Sequence, residues 1–200
     1  MKFTVTTSLA IAVAQALLVF SSPAPSELER RFQTPATQCI SMGKYPGGYN
    51  GDPLAYDAPG ASSLLGSCSE SVIQGGQDPW TVPACVAFAT AKGPTWTIVR
   101  LQCTEDMPNA TAQPSLDYNV YANIVGACAW DPEGCPITQQ NYIDFYYGSL
   151  SAIGYTGTWP DANDVINYLW NPITEWTATG DTVPYLNFND WLHWGVPYTY

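Results

Sequence analysis

Alternating apolar and polar positions predict strands in the middle of the chain. Over 116–128, apolar residues recur at every second position, which is typical of a strand with one buried face. Two apolar runs, 84–90 and 95–103, flank the turn sequence 91–94 and predict a β-hairpin. A further strand is expected over 182–188.

Apolar residues spaced three and four apart predict helices on either side of these strands. Over 64–72 they predict a short helix, and beyond residue 137 they predict a helix from about Thr138 to Ala152. Glycine favours the backbone conformation that ends a helix, so this second helix should stop near Gly154.

The last predicted helix carries an apolar stripe over 165–170. Pro160 and Asp161 should open it, and the pair Asn171-Pro172 should end it. Strands clustered first and helices clustered later predict an α+β fold, with helices packed on an antiparallel sheet in an αβα-sandwich-like arrangement.

The first 31 residues read as export and processing signals. Lys2 and the apolar run 9–20 are typical of a signal peptide within residues 1–26, and the run is too short to span a bilayer. Cleavage after Ser21 or after Ser26 fits equally well. Residues 27–31 then form a short pro-segment that ends in a dibasic site, Arg30-Arg31. We therefore expect a single secreted domain over 32–200, without a membrane-inserted segment.

Composition gives this domain an unusual surface chemistry. Of 13 Tyr, 8 Trp and 6 Phe, only Phe3 and Phe20 precede residue 32, so 25 aromatic residues remain. The same part of the chain carries three basic and 15 acidic residues, a net charge of −12. Such a charge repels nucleic acid and anionic lipid. Asn109 begins an N-glycosylation acceptor, which fits a surface loop of an exported protein.

Six cysteines remain in the predicted domain, and an even number in an exported chain predicts three disulfides. Their spacing does not suggest a metal site. A short turn sequence separates Cys128 from Cys135, so these two should pair locally. With Thr90 opposite Thr95 in the predicted hairpin, Cys85 and Cys103 face opposite sides and do not pair with each other, although a slip of one residue reverses this. The remaining pairings stay open, and the full set is Cys39, Cys68, Cys85, Cys103, Cys128 and Cys135.

Catalytic signatures are weak. The only histidine, His193, lies between Trp191 and Trp194 and reads better as a structural residue than as a general base. The sequence lacks a G-x-S-x-G nucleophile elbow. Asp161 and Glu175 are the first candidates for the paired carboxylates of a glycosidase, but Asp161 and Asp164 stand at a spacing that suits helix capping better.

Two segments interleave aromatic rings with amides, hydroxyls and carboxylates, the chemistry that recognises neutral sugars. The first segment is 155–161 and the second is 187–194. Each Trp has a core alternative, because tryptophan is highly buried on average. The carbohydrate-binding residues expected here are Tyr155, Trp159, Asn187, Asn189, Asp190, Trp191 and Trp194.

The overall layout resembles a group of small secreted fungal proteins related to a mushroom glycan-binding, lectin-like domain. The signal segment, the Arg30-Arg31 step, the cysteine-edged run 85–103 and the segment 159–170 carry this resemblance. It implies an αβα sandwich, glycan binding without catalysis or cofactor, and a homodimer formed through sheet edges. No binding residue is transferred from that family.

The leading hypothesis is therefore a secreted lectin-like protein with glycans as its partners and no cofactor or metal. Two alternatives remain open: a secreted polysaccharide hydrolase that uses paired carboxylates, and a secreted effector or toxin with a protein target.

Overall fold

Helices dominate the part of the chain that the computed structural model describes, which comprises residues 58–103, 115–131 and 134–194. All of these residues fall within one compact unit that spans Thr34–Tyr200. The predicted signal peptide and pro-segment, with Arg30 and Arg31, lie outside the described residues, as do Cys39 and Asn109.

This part of the chain contains eight α-helices. One of them continues into a π-helical turn, and two others are joined by a π-helical stretch. The helices are α1 (Ala61–Ser69, continued by a π-helical turn Glu70–Gln74), α2 (Pro83–Lys92), α3 (Pro94–Cys103), α4 (Tyr118–Val125), α5 (Gln139–Ala152), α6 (Ala162–Asp164), α7 (Asn171–Thr177) and α8 (Tyr185–Trp194). Short 3-10 helices occupy Pro79–Thr81 and Ala127–Trp130, and a π-helical stretch Val165–Trp170 joins α6 to α7.

The sheet of this region is small. Strands β1 (Ile137–Thr138) and β2 (Thr182–Val183) pair antiparallel, with Ile137 opposite Val183. An α+β description therefore holds only in a helix-dominated form. The described residues do not form the broad antiparallel sheet between helices that the αβα-sandwich-like prediction required.

The predicted hairpin over 84–103 is wrong, because both of its arms are helices. Pro83 and Pro94 stand at the first positions of α2 and α3, where the missing N–H costs nothing and the fixed φ favours a helix. Gly93 separates the two helices with a φ of 94°, which glycine adopts without strain. Thr90 and Thr97 donate their hydroxyls to carbonyls of the preceding turn, so these β-branched residues are accommodated in helices.

The predicted strand over 116–128 is also wrong. Asp117 caps α4 by accepting a hydrogen bond from the Asn119 N–H at 2.7 Å. The buried residues of this helix are Val120, Tyr121, Ile124 and Val125. Their spacing of one and four residues is helical. The apolar residues of this stretch fit a strand period of two as well as a helical spacing, which is why the alternation was misleading.

The later helices match the predictions more closely. Thr138 caps α5 through a capping box with Asn141, and the helix ends at Ala152 just before Gly154, whose φ is 68°. The next helical segment begins at Ala162 after Asp161, as expected, but it continues through Pro172 to Thr177. The expected strand over 182–188 is limited to β2, because the residues from Tyr185 onward form α8.

Helix α2 lies at the centre of the core. All seven residues from Ala84 to Thr90 are buried, so this helix is covered on every side. It packs against α1, α3 and α5, and the Cys68–Cys85 disulfide ties it to α1. The local Cys128–Cys135 disulfide is present as predicted. Cys85 is indeed not bonded to Cys103, although the hairpin register from which this was inferred does not exist.

Candidate functional site

The predicted segment 155–161 places an aromatic surface in the loop between α5 and α6. Trp159 is 43% exposed, and its ring lies parallel to Tyr147 of α5, with centroids 5.9 Å apart and planes within 24°. Tyr155 meets the same indole edge-on, also at 5.9 Å. We call these three residues, Tyr147, Tyr155 and Trp159, the Trp159 platform.

Hydrogen bonds hold this loop in place. The Tyr155 hydroxyl donates to the Thr158 carbonyl at 3.0 Å, and the Tyr147 hydroxyl donates to the Pro160 carbonyl at 2.6 Å. The Tyr155 ring also lies directly over Gly157, where an added Cβ would come within 2.4 Å of the Tyr155 hydroxyl oxygen. Both hydroxyls are thus used to fix the loop, and the exposed indole face is presented with little freedom.

Polar and acidic groups surround the platform. Thr156, Thr158 and Asp161 are exposed, and Asp161 accepts a hydrogen bond from the Asn163 N–H at 2.8 Å as the cap of α6. Burial, followed by the negative charges of Asp161 and Asp164, raises the pKa of Tyr147. The hydrogen bond from the Asn163 N–H to Asp161 confirms the capping interpretation of this residue. The platform therefore adjoins exposed residues that carry hydroxyl and carboxylate groups.

The second predicted segment, 187–194, lies on α8 and mostly faces inward. Trp191 is only 6% exposed and stacks on Phe188 at 5.8 Å with planes 5° apart, which leaves little of its ring for a ligand. The Asn189 side-chain oxygen accepts the Leu116 N–H at 2.8 Å. His193 shares a 2.6 Å hydrogen bond with the Asn189 carbonyl one turn earlier, which fits the structural role expected for it.

Three other residues of this segment were expected to contact carbohydrate. Asp190 is exposed and Asn187 is half-buried on α8, whereas the side chain of Trp194 lies outside the described part of the chain. Among the described residues, the structure gives no contact between Asn187 or Asp190 and the Trp159 platform, so the role of these three residues in carbohydrate binding stays a prediction.

Sequence reasoning missed a second aromatic surface. Trp130 is 59% exposed within the loop closed by the Cys128–Cys135 disulfide, and its ring lies 5.9 Å from Tyr118, which is 45% exposed. Tyr118 stacks on Tyr185 with centroids 4.5 Å apart and planes within 22°. We call Tyr118, Trp130 and Tyr185 the Trp130 platform. A tryptophan between two closely spaced cysteines was the available signal, because a short disulfide loop has no room to bury it.

Internal hydrogen bonds also hold the Trp130 platform. The Tyr185 hydroxyl donates to the Leu116 carbonyl at 2.6 Å, and the hydroxyl of the underlying Tyr121 donates to the Cys135 carbonyl. Burial is the main reason that the pKa of Tyr121 rises to about 12. The pKa of Tyr185 is raised by burial first, then by Tyr118 and by the charge of Asp117.

Within the described ranges, the structure forms no group of three or more His, Cys, Asp or Glu side chains suited to holding a metal ion. The helices described also include none that is long and apolar enough to cross a membrane. The chain matches no known family model, curated protein or solved structure.

Proposed function

We propose that this protein is a secreted glycan-binding protein whose ligand stacks on the Trp159 platform. The observation that carries the proposal is the exposed Trp159 ring, held parallel to Tyr147 and edge-on to Tyr155 beside exposed hydroxyl and carboxylate groups. A pyranose presents an apolar face of C–H groups and a rim of hydroxyls. The platform offers the matching aromatic face and rim.

Rigidity of the loop supports binding. Ordering a flexible loop at the moment of binding costs free energy, and a preformed surface avoids that cost. The bonds from Tyr155 to Thr158 and from Tyr147 to Pro160 form this surface before a ligand arrives. Individual sites of this kind are weak, so useful avidity requires several linked sites, as a homodimer would provide.

Export is part of the proposal. The two disulfides fit an oxidising compartment, and the signal-like start of the chain, the Arg30-Arg31 step and the Asn109 acceptor fit a secreted glycoprotein. The fungal lectin-like resemblance points to the same function, with cofactor-free binding and no catalysis.

A glycan array probed with the chain from Phe32 onward tests this function. We expect selective binding to a set of related glycans, reduced at least about tenfold (~1.4 kcal/mol) by Trp159→Ala. Trp130→Ala serves as the matched control, because it removes an exposed indole outside the Trp159 platform. A blank array from a protein with a native near-ultraviolet circular dichroism spectrum would refute glycan binding. Full binding by Trp159→Ala would refute the site.

A further inference from the structure

We propose that the Trp130 platform is a second binding site, for organic cations of the quaternary-ammonium type. Nothing in the proposed glycan function requires this site, and its residues do not include any of the Trp159 platform. The observation that points to it is an exposed group of aromatic rings with Asp117 and Asp131 next to Tyr118 and Trp130 in the chain.

Exposure and ring arrangement supply the first step of the argument. Trp130 and Tyr118 expose roughly half of their surface, and their rings lie 5.9 Å apart with planes within 32°. Tyr185 extends the surface beneath Tyr118, and the adjoining Leu186 is also exposed. A cation that rests on one of these rings therefore lies near a second.

Fixation of the rings supplies the second step. The Cys128–Cys135 disulfide closes the segment that carries Trp130, and the Tyr121 hydroxyl binds the carbonyl at its far end. Leu116, just before α4, is held to α8 from both sides: its carbonyl accepts from Tyr185, and its N–H donates to Asn189. The backbone and the tyrosines beneath the exposed rings are thus held in place before a ligand binds, which lowers the entropic cost of binding.

Charge supplies the third step and decides the ligand class. Asp117 precedes Tyr118, lies near enough to Tyr185 to act on its ionisation, and keeps one carboxylate oxygen beyond the one that caps α4. Asp131 is exposed next to Trp130. Aromatic faces attract cations through their quadrupole, most strongly for Trp, and the carboxylates add a Coulombic attraction.

The residues next to each platform differ in chemistry. Exposed hydroxyls of Thr156 and Thr158 adjoin the Trp159 platform, whereas the charged residues Asp117 and Asp131 directly adjoin Tyr118 and Trp130 in the chain. A quaternary ammonium needs no hydrogen bond, because it is recognised by charge and by contact with its methyl groups. The chain already makes one cation–π contact of its own, because the Arg100 guanidinium lies 5.7 Å from the centre of the Trp96 ring.

Isothermal titration calorimetry with choline and with its neutral isostere 3,3-dimethylbutan-1-ol tests the proposal. We expect choline to bind at least about fivefold more tightly than the isostere, because the methyl contacts are the same and only the charge differs. Trp130→Ala should abolish the difference, and Asp131→Asn should reduce it about twofold without touching a helix cap. Trp159→Ala should leave choline binding unchanged.

Two results would overturn the proposal. Equal binding of choline and its isostere would show an apolar patch without cation selectivity. Sedimentation that reveals self-association lost in Trp130→Ala, with no choline binding in the wild type, would assign the platform to contacts between copies of this chain. If choline binds, cosedimentation with phosphatidylcholine vesicles identifies a lipid headgroup as its source, and its absence identifies a free ammonium compound.

Discussion

The two segments that the sequence marks as sugar-binding have similar composition but different environments. In 155–161 the tryptophan is exposed, whereas in 187–194 the described tryptophan, Trp191, is part of the core. The difference lies in spacing. Phe188, Trp191 and Leu192 recur at helical intervals and are buried together, whereas Gly157 and Pro160 keep the first segment in a loop.

This comparison shows that aromatic content alone does not identify a binding surface. A ring becomes available when the backbone around it cannot turn it inward, as in a hydrogen-bonded loop or a short disulfide ring. Trp159 and Trp130 meet this condition by these two routes. Three substitutions and one titration test this contrast between exposed and buried aromatic residues.

The largest effect is expected for Trp191→Ala. Loss of a buried indole removes its apolar contacts and leaves a cavity, so the free energy of unfolding should fall by about 3 to 5 kcal/mol. Chemical denaturation measures it. Trp159→Ala is the matched surface variant and should cost about 1 to 3 kcal/mol, the value of its two ring contacts. Similar losses in the two variants would mean that Trp159 is also a core residue.

A smaller effect is expected for Asn189→Ala. The Leu116 N–H would lose its acceptor, so the free energy of unfolding should fall by about 1 to 3 kcal/mol. Asn187→Ala, two positions earlier on the same helix, is the control and should cost less than half as much. If Asn189→Ala abolished glycan binding at unchanged stability, Asn189 would be a ligand contact.

Gly157→Ala should weaken binding without unfolding the protein. The added methyl would collide with the Tyr155 ring, so the loop or the ring that packs on Trp159 must shift. Affinity for the array-selected glycan should fall about threefold to tenfold, or up to ~1.4 kcal/mol, at nearly unchanged stability. Gly148→Ala on α5 is the control, since its Cβ meets open space and alanine favours a helix. Unaltered affinity in Gly157→Ala would show that Tyr155 does not contribute.

An alkaline titration tests the burial of two core tyrosines and should give the smallest of these effects. Tyr121 should ionise near pH 12, and burial raises the pKa of Tyr142 as well. Because these pKa values are higher in the folded than in the unfolded chain, their stabilisation is complete below pH 10. It is lost as pH rises through the folded values. Absorbance at 295 nm follows ionisation, and denaturation at pH 9 and 11 follows stability. An increase in stability over this interval would contradict the burial of these hydroxyls.

The sequence predicted helices where caps and spacing agreed. The apolar stripe and Gly154 after its end both predicted helix α5, and the structure adds a capping box at Thr138. The stretch 84–103 failed because β-branched residues favour strands locally, whereas burial of α2 on all sides is decided by the rest of the fold. The prolines at 83 and 94 were the better local signal.

The candidate sites were predicted only in part. Tyr155 and Trp159 lie together in the structure, and their role in carbohydrate binding stays a prediction. Tyr147 joins them from a helix twelve residues before Trp159 and could not be placed there from sequence. The Trp130 platform brings Tyr118 together with Tyr185, 67 positions later, which required the three-dimensional structure. Pairings between distant elements are set by tertiary packing, which spacing along the chain does not reveal.

Indole N–H resonances in a two-dimensional ¹H–¹⁵N NMR spectrum test the central claim most directly. The protein is titrated with the strongest glycan from the array, and the Trp159 signal is assigned by its loss in Trp159→Phe. We predict that the Trp159 resonance shifts in proportion to occupancy while that of Trp191 does not move. A shift of the Trp191 resonance with Trp159 unchanged would contradict the assignment of glycan binding to the Trp159 platform.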